Sequence, residues 1–265
     1  MFERVALPDA ELSLLDTGDG EPILFVHGFP LDHSMWQAQY KHFARTHRCL
    51  VPDLRGFGRS TGALAVMSMQ QLASDLAEML DRLKIAEPVT FCGLSMGGYI
   101  AWQFAQMFPQ RLQRLILCDT RAASDSLEAK ITRRTNAERV LNEGPDFLTD
   151  GMLPKLFSAR SRECCGPVME QTREVMLRTN PQAIAGALHG MADRPDMTSY
   201  LAEIAVPVLL IVGSDDILTP ATEMRQMSYF LPQATFVEIP GAGHMSPLEA
   251  PDEVNMVIEH FLAAT

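Results

Sequence analysis

One serine stands where a nucleophile would have to stand. Ser95 is the centre of Gly93-Leu94-Ser95-Met96-Gly97-Gly98. An apolar run, Val89 to Cys92, precedes this G-x-S-x-G, and a long apolar stretch from Met96 to Phe108 follows it and stops at Pro109. That context predicts a strand, a very tight turn and a helix, with the hydroxyl thrown clear of the backbone at the turn. Side chains two positions to either side would collide with neighbouring backbone, which accounts for glycine at 93 and 97. The helix that starts here adds the positive end of its dipole near any oxyanion that forms.

A serine hydroxyl is a weak nucleophile until a base takes its proton, and the base needs an acid to hold its tautomer. His244, in Gly241-Ala242-Gly243-His244-Met245 between the last predicted strand and the last predicted helix, is the expected base. His42, His47 and His260 fall in helical or solvent-like contexts, His189 lies in a helical stretch, and His33 follows Ile23 to Val26 closely enough to line a pocket. Asp215 and Asp216 both follow the predicted strand Pro207 to Val212. Asp216 is favoured as the acid because the chain order serine, acid, histidine is then kept. Asp215, as a turn or N-cap residue, and Asp119, after the predicted strand Leu115 to Cys118, stay as rivals. Two backbone donors should complete the set. One is the N–H of Met96, directly after the serine. The other comes from His27-Gly28-Phe29-Pro30 and is assigned to Phe29, because Pro30 has no N–H. His27 is expected to brace that loop.

These residues need a scaffold, and short apolar runs alternate with longer amphipathic ones. Ile23 to Val26, Leu50-Val51, Val89 to Cys92, Leu115 to Cys118, Pro207 to Val212 and Thr235 to Ile239 are predicted strands. Met69 to Lys84, Met96 to Phe108 and Asp252 to Leu262 are predicted helices. The alternation predicts an α/β fold, a mostly parallel sheet with helices on both faces, whose ligands bind at the carboxyl ends of the strands. Residues 121–200 break the rhythm with helical patterns alone, including Glu128 to Leu141 and Val168 to Arg178. They are expected to form a helical cap, mobile or static, inserted into a core built from residues 1–120 and 201–265.

The chain has 265 residues and a net charge of −11, from 22 basic and 33 acidic side chains. Such a balance attracts neither nucleic acid nor an anionic membrane, and basic runs no longer than pairs such as Arg133-Arg134 do not override it. Five cysteines, Cys49, Cys92, Cys118, Cys164 and Cys165, without C-x-x-C spacing argue against a disulfide framework and a zinc site. Cys92 and Cys118 are expected in the core. No leader pattern and no membrane-length apolar run are visible, so a cytoplasmic setting is expected.

Taken together, His27-Gly28-Phe29-Pro30, Asp53-Leu54-Arg55-Gly56-Phe57-Gly58-Arg59-Ser60, the GLSMGG elbow, GSDDILTP and GAGHMSPLEAP resemble the α/β-hydrolase superfamily over nearly the whole chain. The resemblance implies a Ser95–Asp216–His244 triad and no metal or organic cofactor. The 53–60 loop resembles a structural loop of the family, with glycine turns and a charged pair to fix it. The elbow and the stretch from Ala187 to Asp196 are most similar to 3-oxoadipate enol-lactonases, small carboxylesterases and non-haem haloperoxidase-like esterases. Serine at 95 sets the chain apart from the dehalogenase and epoxide-hydrolase branches, which use aspartate there. The expected activity is hydrolysis of a small carboxylic ester or lactone through an acyl-enzyme. C–C bond hydrolysis of a dienoic acid, perhydrolysis of short acids, and ligand reception without turnover are the alternatives. An acidic chain does not steer anions by net charge, so a substrate carboxylate would need a local arginine. Arg133, Arg134 and Arg139 are candidates, a solvated helix face being the plainer reading. Met152, Met169, Met176, Met191 and Met197 are candidates for an adaptable apolar lining or for ordinary core. Homo-oligomerisation stays open.

Overall fold

Runs that are apolar at nearly every position become strands buried on both faces. β3 (Pro22–Val26), β5 (Val89–Leu94) and β7 (Val208–Gly213) are buried at every residue, and β6 (Leu112–Cys118) at all but one. With β1 (Phe2–Ala6), β2 (Glu11–Thr17), β4 (Arg48–Pro52) and β8 (Ala234–Ile239) they form one sheet in the order β1-β2-β4-β3-β5-β6-β7-β8. The pairings from β4 through β8 are parallel, while β1–β2 and β2–β4 are antiparallel. The structure is a computed structural model describing residues 2–265.

The helices are α1 (Gln37–Phe43), α2 (Met69–Arg82), α3 (Met96–Met107), α4 (Leu127–Glu143), α5 (Asp146–Leu156), α6 (Ala159–Cys164), α7 (Gly166–Arg178), α8 (Pro181–Ala192), α9 (Ala221–Ser228), α10 (Ser246–Glu249) and α11 (Pro251–Ala264). Ser68 opens α2 by accepting the Gln71 N–H at 3.0 Å, and Leu72, Leu76, Met79 and Leu80 on its inner stripe are fully buried. Burying each such side chain stabilises by about 1.5–3 kcal/mol. α4 to α8 all lie between β6 and β7. Among the described residues no helix is long and apolar enough to cross a membrane.

Two strands precede Ile23 to Val26, which is therefore the third strand and not the first. The β1–β2 hairpin escapes the apolar pattern because Val5 is the one buried residue of β1. An edge strand needs only one apolar contact face, and here charged Glu3 and Arg4 sit in the ladder opposite Leu14 and Ser13.

Candidate active site

Parallel register brings four strand ends side by side. Leu94 is opposite Cys118, Cys118 opposite Ile211, and Gly213 opposite Ile239. Ser95, Asp119, Asp216 and His244 each leave the sheet just beyond these ends, so residues far apart in sequence meet over one edge.

Ser95 sits at φ 52°, ψ −109°, a strained conformation for a residue with a side chain. The surroundings hold it there. Its N–H donates to the Cys118 carbonyl at 2.9 Å, and its carbonyl accepts from the Thr120 hydroxyl at 2.8 Å and the Gly98 N–H at 2.9 Å. A Cβ on Gly93 would lie 2.6 Å from the Gly97 backbone, and one on Gly97 would lie 2.4 Å from the Val26 carbonyl oxygen. The expected glycine requirement at both positions is thus a matter of direct contact.

His244 Nε2 lies 2.9 Å from Ser95 Oγ, and Nδ1 lies 2.8 Å from Asp216 Oδ2. Both the histidine and the aspartate are buried. The other Asp216 oxygen accepts the N–H groups of Leu218 at 2.7 Å and Thr219 at 2.9 Å, which fixes the carboxylate. Asp215 turns away, accepting from Ser214 Oγ, and is exposed.

Asp119 does not face the histidine. Its Oδ1 accepts the Gly213 N–H at 2.9 Å, and Ser246 Oγ lies 2.5 Å from Oδ2. Burial, reinforced by the charge of Asp216, pushes the Asp119 carboxyl well above the usual range. The folded chain then binds this proton more tightly than the unfolded chain does. The group therefore lowers stability as pH rises above its unfolded value of about 4, and imposes nothing below it. Asp119→Asn keeps an oxygen for Gly213 and offers an N–H to Ser246. It should raise the Tm at pH 7–8 by a few degrees, about 1 kcal/mol corresponding to 2–4 °C at this size, with the gain vanishing near pH 4. A lower Tm at pH 8, by calorimetry, would show that the ionised form is the stabilising one.

A residue outside the expected site set anchors the histidine loop. Glu249 Oε1 accepts the N–H groups of Gly243 at 2.9 Å and Met245 at 3.3 Å, on either side of His244, and Oε2 accepts the Ser158 N–H at 2.9 Å. One carboxylate thus ties the histidine loop to the helices above the sheet. Glu249→Gln turns an N–H₂ toward these donors, and a shift of about 1 Å can cost roughly 100-fold. We expect kcat for p-nitrophenyl acetate to fall about 10- to 100-fold; a loss under about threefold would show that the loop holds itself.

The loop after β3 matches expectation in its brace. Buried His27 accepts the Leu54 N–H at Nε2 (3.0 Å), so its Nδ1–H donates to the Gly28 carbonyl (2.9 Å). Burial lowers its pKa, which keeps it neutral. The N–H groups of Met96 and Phe29 donate to no protein acceptor among the described residues. A charged pair fixes the 53–60 loop, Arg55 with Asp75 on α2, and Arg55 also binds Asp9, while Asp53 accepts the Arg59 N–H and both N–H groups of His33. His33 is spent on that brace and does not line the cavity at Ser95. With Asp32 these two form a cluster with cation-binding spacing, yet Arg178 and Ser34 already occupy the Asp32 oxygens.

A cavity of about 190 Å³ holds Ser95 and His244, with Tyr99, Arg121, Arg133 and Met191 among its walls. Phe29, Arg133, Met152 and Leu218 also line an adjoining outer cavity of about 490 Å³. Of the five methionine candidates, Met152 and Met191 reach the inner cavity, while Met169, Met176 and Met197 pack in the core. Arg134 and Arg139 pair with Asp193 and Glu143 on the surface.

The α/β-hydrolase fold family matches this chain over residues 21–251. The chain is an α/β-hydrolase. The hydrolase is 27% identical over 241 residues to 3-oxoadipate enol-lactonase 2 of Acinetobacter baylyi, covering 91% of this chain and 88% of that protein. It superposes on a thermophilic esterase from Thermogutta terrifontis, solved with malate bound, with a TM-score of 0.97 and 43% identity over 100% of this chain and 98% of the other. The enol-lactonase of Burkholderia xenovorans LB400 gives a TM-score of 0.92 at 29% identity, covering 98% of this chain and 100% of that one. The hydrolase is an enzyme of the esterase and lactonase type.

Proposed function

We propose that the hydrolase cleaves a small carboxylic ester or lactone through an acyl-enzyme formed on Ser95. The observation that carries this reading is the unbroken line from Asp216 through His244 to Ser95 Oγ, with bonds of 2.8 and 2.9 Å, opening into a cavity of about 190 Å³. Ser95 Oγ attacks the carbonyl carbon as its proton passes to His244 Nε2, and Asp216 stabilises the imidazolium. The free N–H groups of Met96 and Phe29 receive the oxyanion. Collapse breaks the C–O bond to the leaving group, which takes the proton from Nε2. Water, deprotonated by the same nitrogen, then attacks the acyl carbon and frees Ser95. Work in the cytoplasm belongs to the same reading, and the five free cysteines support it.

A phosphofluoridate tests the nucleophile directly. Diisopropyl fluorophosphate should add one diisopropylphosphoryl group per chain, mapped by mass spectrometry to Ser95, and none to Ser95→Ala. A label on another residue, or continued ester hydrolysis by unlabelled protein in excess reagent, would remove Ser95 from this role.

A further inference from the structure

Two arginines share the inner cavity with Ser95, and neither is fully used. Arg133, on α4, donates from Nε to Asp125 Oδ2 at 2.5 Å and from Nη1 to Met191 Sδ at 3.5 Å, while its Nη2 has no protein partner among the described residues. Arg121 donates from Nη2 to the Leu218 carbonyl and lies 3.2 Å from Glu223, yet its Nε–H is buried with no partner.

Asp125 serves two cations at once, since buried Arg194 holds its other oxygen at 2.8 Å and lies 4.1 Å over the Tyr99 ring that walls the cavity. Burial alone would raise the Asp125 carboxyl, but the bonds and charges of Arg133 and Arg194 outweigh it and hold it below its usual range. One carboxylate thus serves two guanidiniums, so Arg133 has no carboxylate of its own. A guanidinium with free donors facing a pocket is suited to a planar carboxylate.

We propose that Arg133, with Arg121, forms a carboxylate subsite, so that the preferred substrate is the half-ester of a short dicarboxylic acid. This rests on the ester-hydrolase reading above. The acid portion stays bonded to Ser95 in the inner cavity, which both arginines line, whereas the alcohol departs through the outer one. The inner cavity, at about 190 Å³, suits a short acid portion.

The experiment compares p-nitrophenyl hemiglutarate with p-nitrophenyl pentanoate, which differ in a terminal carboxylate against a methyl group. Wild type should favour the hemiglutarate about tenfold or more in kcat/KM. Arg133→Gln should reduce that ratio about 10- to 100-fold, the range for hydrogen bonds to charged groups, and Arg121→Gln should reduce it less. Arg134→Gln, on the surface, should leave it unchanged. The ratio cancels any shared loss from imperfect folding. Calorimetry with glutarate at millimolar concentration gives a second readout, with binding to wild type and none to Arg133→Gln. Hydrolysis with no preference for the hemiglutarate, or a ratio that survives Arg133→Gln, would overturn the subsite and leave the esterase reading standing. Glutarate binding that depends on Arg133, without turnover of either ester, would do the reverse.

Discussion

Replacing Ser95 by alanine should lower kcat for p-nitrophenyl acetate by about 10⁴- to 10⁶-fold, with KM changed far less. Alanine removes the attacking oxygen and leaves the tight turn, the Met96 and Phe29 amides and the cavity in place. Residual hydrolysis then comes from oxyanion stabilisation of direct water attack. The bonds that hold residue 95 at φ 52° all run through its backbone N–H and carbonyl, so none is lost in the variant. Its Tm should accordingly stay within a few degrees of wild type. Activity within tenfold of wild type, in a variant that melts normally, would mean that another group attacks the ester.

Asp216→Asn should lower kcat about 10⁴-fold, through the tautomer of His244. The Leu218 and Thr219 N–H groups will keep the amide oxygen of the new side chain, so its N–H₂ turns to His244 Nδ1. Nδ1 must then accept, the ring proton moves to Nε2, and Nε2 can no longer take a proton from Ser95 Oγ. Asp119 offers no substitute, because its oxygens are committed to Gly213 and Ser246. Asp119→Asn should therefore stay within about tenfold of wild type. If instead Asp216→Asn is nearly normal and Asp119→Asn is not, the acid comes from β6. Nitrogen-15 NMR of the His244 ring in Asp216→Asn would report the tautomer independently of rate.

Much of this arrangement was legible in the residues because its signals are local. The G-x-S-x-G turn requires glycine within two residues of Ser95, and both contacts appear where that requirement places them. Continuous apolar runs announced the buried strands, and helical spacing from Met69 announced α2. The sequence left three aspartates as candidates for the acid. Folding brings one of them, Asp216, to His244 Nδ1 and sends Asp215 to solvent and Asp119 into the core.

Other features carried no local signal at all. α8 contains Gly186 and Gly190, which weaken a helix in isolation. They are there because the chain from Leu64 to Ser68 presses on that face, and a Cβ would lie 2.1 Å from the Leu64 carbonyl oxygen or 1.7 Å from that of Met67. Arg121 follows a strand and looks like a surface residue until β6 delivers it beside Ser95. Glu249 binds Ser158, which lies 91 residues away. The sequence by itself determined the turn that exposes Ser95 and the buried strands that carry it. Both follow from sterics and periodicity over a few residues. Only the tertiary structure decided which carboxylate meets the histidine, what clamps the histidine loop and which arginines face the cavity. The contacts that decide them reach across 28 residues from Asp216 to His244 and 91 from Ser158 to Glu249, beyond what local sterics or periodicity encode.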